Sequence, residues 1–127
     1  MNQSQIKSVI DQVLHRLGYH SKSAVELVYL TGLVESNYDY LKQLGNGPAK
    51  SFFQIEPATC YDIVENYVSY RKRLARSIAD AAMINPMWIE YSKEELGYLL
   101  EVNIAFAICM CRVHYRKRSN RLLRYLW

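Results

Sequence analysis

The chain has 127 residues, half of them hydrophobic, which is the size of one domain with a sizeable core. Its formal net charge of +4 is uneven: residues 112–127 hold six of the sixteen basic side chains and no acid, and the rest is mildly acidic. No stretch is long and apolar enough to span a bilayer, and three cysteines (Cys60, Cys109, Cys111) fit neither a disulfide scaffold nor a zinc site by number or spacing.

The N-terminal MNQSQIKSVIDQVLHRL is interrupted by charged and polar residues, so it does not read as a signal peptide. Ile6, Val9, Ile10, Val13, Leu14 and Leu17 recur at helical spacing and predict an amphipathic helix over 3–17, ended by Gly18. Ser23-Ala24-Val25-Glu26 has the pattern of a capping box and predicts a second helix from there to Ser36. That helix is apolar on most sides (Val25, Leu27, Val28, Leu30, Leu33, Val34) and is expected to be buried in the core.

Residues 37–56 show no helical repeat and are rich in turn formers, so an irregular loop or a small β-ribbon is expected there. Pro57 suits the first turn of a third helix over 57–67, and Leu74, Ile78, Ala81, Ala82 and Ile84 form the apolar face of a fourth over 72–84. Ser92-Lys93-Glu94-Glu95 is a capping box that starts the longest helix, expected to run unbroken over 93–117. The fold class is therefore mainly α, as one domain over 1–127, with a loop inserted between helices two and three. The three thiols read as small core residues and argue for folding in a reducing compartment.

The stretch with the character of a site is VESNYDYLKQLGNGPAKSFFQIEPAT, residues 34–59. Glu35 closes an apolar helix, where partial desolvation favours a protonated carboxyl. The turn Gly45-Asn46-Gly47-Pro48 allows close backbone approach to a ligand, and Phe52, Phe53 and Gln54 supply an apolar wall with one polar hook. The two Phe residues fit the core better than a sugar platform. His15, His20 and His114 lie apart, with no carboxylate or Cys read at ligand spacing, so no metal site and no cofactor are predicted. The turn lacks the Lys-Ser/Thr ending of a phosphate loop, which argues against nucleotide binding.

In order along the chain, Glu35-Ser36-Asn37-Tyr38, Gly47-Pro48-Ala49-Lys50-Ser51 and Gln54-Ile55-Glu56-Pro57-Ala58-Thr59 resemble the soluble lytic transglycosylase branch of the lysozyme-like superfamily. Asn103-Ile104-Ala105-Phe106-Ala107 is similar to a later family element, a helix beginning N-I-x-x-G, with Ala for Gly. The likeness covers roughly residues 23–115 and is marked to transglycosylase-like proteins encoded by bacteriophages. The family has Gly where Ser51 stands, and its late A-Y-N-A-G segment has no counterpart here. The resemblance implies a lysozyme-like α-domain that cleaves the β-1,4 bond between N-acetylmuramic acid and N-acetylglucosamine in peptidoglycan. Glu35 is then the single catalytic acid/base, Ser36 lies beside it, and Gln54 bonds substrate. Gly47, Pro48, Ala49 and Ser51 shape the cleft floor, with Tyr115 a further cleft residue. The implied place of action is the cell wall, as a virion-associated or lysis protein made without a signal peptide.

A two-carboxylate hydrolase needs a second acid facing the first across the bond. Asp39, Glu56 and Asp62 are near in sequence, but none has a spacing that selects it, so a single-Glu mechanism is favoured. The basic segment 112–124 suits an anionic surface: cell wall, membrane or nucleic acid. It equally suits a solvated helix end, where cations are favoured. Two other functions remain open from sequence: a lysozyme-like module that grips glycan without turnover, and a basic helical nucleic-acid binder. Oligomeric state is not set by the sequence.

Overall fold

The computed structural model describes the backbone of residues 2–126 and the side chains of residues 2–118. Helix α1 spans Gln3–Leu17, with the Asn2 side chain accepting from Gln5 N. Gly18 ends it at φ +88, a left-handed cap that costs glycine nothing. Helix α2, Lys22–Ser36, starts earlier than the sequence pattern placed it. Its cap is Ser21, whose side chain accepts from Ala24 N, and Ser23 lies inside the first turn. Helices α3 (Pro57–Asn66) and α4 (Lys72–Ala82) follow. They are joined by a 3-10 turn at Val68–Tyr70.

The expected unbroken helix over 93–117 is two helices. Helix α5, Lys93–Val102, opens with the capping box at Ser92 and Glu95. Helix α6, Ile104–Leu126, leaves it at an angle of 113°. Asn103 makes the corner. Its backbone is extended (φ −115, ψ 99), its Oδ1 accepts from Phe106 N at 2.9 Å, and its Nδ2 donates to the Ala82 carbonyl at 3.1 Å. One side chain thus caps α6 and satisfies a carbonyl at the end of α4. The apolar spacing runs on through this corner, so periodicity alone carries no sign of it.

The central helix is α6, not α2. Phe106, Ala107, Ile108, Cys109, Met110 and Val113 are at most 1% exposed, and α1, α4 and α5 pack around them. Trp88 is fully buried against this segment, edge-on to Phe106, and donates its indole N–H to the Ala75 carbonyl. Helix α2 buries only Ala24, Val28, Tyr29, Gly32 and Ser36. Val25 and Leu33 are half-buried against the core, while Leu27, Leu30 and Val34 face outward, with Val34 82% exposed. A helix apolar all round predicts a central place, but α6 occupies that place and α2 lies on the periphery.

Between α2 and α3 the expected small β-ribbon is reduced to two isolated antiparallel bridges, Lys42 with Lys50 and Lys50 with Ile55. Ser51 N donates to the Leu41 carbonyl, and Lys50 and Ile55 exchange both backbone bonds. This narrow meander folds the loop back so that Gln54 returns beside α2. No single helix among the described residues is long and apolar enough to cross a membrane.

Candidate active site

Two tyrosine-centred contacts hold the site's frame. Asn37 and Tyr38 both adopt positive φ (52 and 58), which turns the chain sharply off the end of α2. Tyr38 is then driven back under the helix. Its ring stacks on Tyr29, meets Phe52 and Phe53 edge-on, and its hydroxyl donates to the Tyr29 carbonyl at 2.8 Å. Burial, with smaller contributions from Cys111 and Tyr29, pushes its phenol far above the ordinary range, so it stays neutral. Phe52 and Phe53 are 5% and 4% exposed, and so belong to the core, as expected.

The turn also sets Glu35 at the mouth of a cleft of about 230 Å³. Its wall is built from α2 (Thr31, Glu35), the returning loop (Phe53 to Glu56), Thr59 of α3, and α6 (Cys111, His114, Tyr115, Arg118). Three residues singled out from sequence, Glu35, Gln54 and Tyr115, therefore meet in one place although they lie up to eighty positions apart. Glu35 is exposed, not sheltered as its place at the end of an apolar helix leads one to expect. The outward face of α2 is the reason.

Gln54 sits at φ +51, and its Nε2 donates to the Ser51 carbonyl at 2.8 Å. Tyr115 is fixed by Thr31. The Thr31 hydroxyl donates to the Leu27 carbonyl at 2.7 Å, and its Oγ1 lies 2.9 Å from the Tyr115 hydroxyl. A hydroxyl has one proton, so Tyr115 donates to Thr31 and turns only lone pairs toward the cleft. His114 is half-buried. Burial first, then Arg118 and Lys117, hold its imidazole below the ordinary range, against an opposing pull from Asp62.

The other expected site residues do not line this cleft. Ser36 is buried, its Oγ donating to the Gly32 carbonyl and accepting from Tyr38 N, so it locks the turn instead of facing substrate. Ser51 is also buried. It adopts φ +71, a conformation that favours glycine, and its Oγ accepts from Phe53 N. Its Cβ therefore does not narrow the cleft, and its carbonyl reaches the site only through Gln54. Gly47, Pro48 and Ala49 are absent from the wall as well. Gly47 lies under the Gln43 side chain, whose Oε1 accepts from Ala49 N, and Ala49 is buried. The Gly-rich turn belongs to the outer end of the meander and borders a separate shallow groove with Glu101, Val102 and Ile104.

Among the nearby acids, only Glu56 reaches the cleft wall. It occupies the position before α3 without capping it through its side chain. Asp39 is exposed and takes the Asn37 amide, while Asp62 pairs with Lys117 at 2.7 Å. Sequence reasoning missed His114 and Arg118. Both follow from Tyr115, since its neighbour His114 and Arg118, one turn on, border the same side of α6.

Of the described basic side chains in the segment 112–124, three of four are turned onto the protein. Arg112 Nε donates to the Tyr19 carbonyl, the Arg116 guanidinium stacks over the Tyr19 ring at 3.9 Å, and Lys117 is 8% exposed in its pair with Asp62. Arg118 is exposed, and the side chains of Arg121 and Arg124 lie outside the described residues. The three thiols are buried and pushed up to about 12, first by burial, so they are inert. Comparison with protein-family models, curated proteins and solved structures finds no match to this chain.

Proposed function

We propose that this chain cleaves the glycan of peptidoglycan between N-acetylmuramic acid and N-acetylglucosamine, with Glu35 as the acid and base. One observation carries the reading: Glu35, Gln54 and Tyr115, drawn from three separate segments, line a single cleft. At about 230 Å³ the cleft is smaller than the ~300–1,000 Å³ typical of enclosing ligand sites, which suits a chain crossing its mouth better than an enclosed small ligand. A sugar ring laid over Glu35 removes the water that now reaches it and favours its protonated form. Glu35 then protonates the glycosidic oxygen. As a carboxylate it takes the proton of the muramic C6 hydroxyl, which closes a 1,6-anhydro ring without water. Gln54 and Tyr115 hold the sugar's amide and hydroxyl groups. In this reading the protein acts on the cell wall, in a phage virion or lysis apparatus, and needs no cofactor.

Glu35→Gln keeps the fold and abolishes the loss of turbidity of purified cell walls; retained activity removes Glu35 from the role. Mass spectrometry of the digest separates the chemistry, since an anhydro end is lighter than a reducing end by one water. A reducing end instead brings in Glu56 as the second carboxylate of a hydrolase. A second reading, glycan binding without turnover, is favoured by the exposure of Glu35. It predicts muropeptide binding with no product. Against the nucleic-acid reading, Arg112, Arg116 and Lys117 are engaged with the protein body.

A further inference from the structure

Asp11, His15 and His20 meet at one end of α1, and none of them borders the proposed cleft. Asp11 and His15 are four residues apart on the helix, a ligand spacing that the sequence reading passed over. Gly18 then turns the chain so that His20 folds back over both. His20 Nε2 lies 2.6 Å from Asp11 Oδ1, and His15 Nδ1 lies 3.5 Å from Asp11 Oδ2. The two imidazoles stack, with centroids 3.6 Å apart. One ligand atom from each residue falls within 4.8 Å of the other two. Among the described residues this is the one group of three such side chains that converges.

We propose that Asp11, His15 and His20 form a binding site for a divalent cation of the zinc class. Two imidazole nitrogens and one carboxylate oxygen are a donor set that zinc accepts, with water completing the four ligands. Zinc holds such atoms at about 2.0–2.2 Å, which sets tetrahedral ligands roughly 3.3 Å apart. The His15–Asp11 spacing of 3.5 Å already matches. To admit the ion the His20–Asp11 hydrogen bond opens by roughly 0.7 Å and the two stacked rings turn out of parallel, so that a lone pair in each ring plane meets it; His20 lies in the short link between α1 and α2, which leaves its ring room to turn. Coordination also draws His15 Nδ1 away from the Asp11 carbonyl, which it now meets at 3.0 Å. The buried thiols do not compete for the ion.

The site is tested on the full chain with zinc chloride, by calorimetric titration and by imidazole NMR. One equivalent binds, the His15 and His20 ring signals move, and the His114 signals stay. His20→Ala and Asp11→Asn each weaken binding by more than the roughly 10–100-fold lost with an outer-shell partner. Unchanged affinity in both variants overturns the site. So does a wild-type titration that moves His114, or one that moves no histidine. The NMR arm uses the wild-type chain, so it decides even if a variant fails to fold.

Discussion

The ring of Tyr38 occupies the space that a Cβ on Gly32 would need, with its Cζ and hydroxyl nearest. The hydroxyl is held to the Tyr29 carbonyl, so the ring has no ready escape. Gly32→Ala therefore forces Tyr38 out and unseats the turn that presents Glu35. The expected cost is about 1–3 kcal/mol, as for other overpacked cores, read by urea denaturation. Wall-cleaving activity falls further than stability does. Tyr38→Phe keeps the ring and loses one buried hydrogen bond, about 1 kcal/mol.

Ser51 holds a left-handed backbone that a glycine adopts without strain. Ser51→Ala loses the Oγ bond to Phe53 N and keeps the strain. Ser51→Gly loses the same bond and relieves the strain. The glycine variant is thus expected to be more stable than the alanine variant by about 1 kcal/mol, a gap set by the cost of left-handed backbone for a residue with a Cβ. Two denaturation curves check this. An alanine variant equal to or more stable than the glycine variant contradicts the conformation described for this residue.

Asn103 serves both α6 and the end of α4. Asn103→Ala removes the cap and leaves the Ala82 carbonyl without that partner. A loss of about 1–2 kcal/mol is expected, comparable to other N-cap deletions. Asn103→Asp restores the acceptor for Phe106 N but not the donor, so it recovers only part of the loss.

Tyr115→Phe removes the hydroxyl whose proton goes to Thr31 and whose lone pairs face the cleft. Stability changes by about 1 kcal/mol. If Tyr115 holds substrate, kcat/KM on cell walls drops well beyond that. Thr31→Val, which breaks the same bond but leaves the phenol in place, is expected to lower activity less.

The His114 imidazole is held below its ordinary range, so the fold disfavours its protonated form. Unfolding takes up a proton at this site once the pH drops below the ordinary histidine value of about 6.5. The contribution to stability is full above that value, declines as the pH falls, and levels off below the lower folded value. Denaturation midpoints across a pH series show the slope, and His114→Gln flattens it. Arg118→Gln raises the titration point of His114, as followed by NMR, because a repelling charge is gone.

Local rules were legible in the sequence because they depend on neighbours only. Gly18 as a helix end, the Ser92 capping box, Pro57 opening α3 and the turn-rich stretch after α2 all stand in the structure. The mainly α class follows from the same apolar spacing. Glu35, Gln54 and Tyr115 could be named because their patterns are sequential or resemble a known order. Tertiary structure alone decided the rest. An apolar helix can lie at the centre or the edge, and competition for the core gave the centre to α6, leaving α2 and Glu35 exposed. The corner at Asn103 exists because its amide reaches α4, a partner twenty-one positions away. Ser36, Ser51 and Ala49 look like site residues when read as a string. Their side chains turn inward because the meander must satisfy its own backbone before it can offer anything to a ligand.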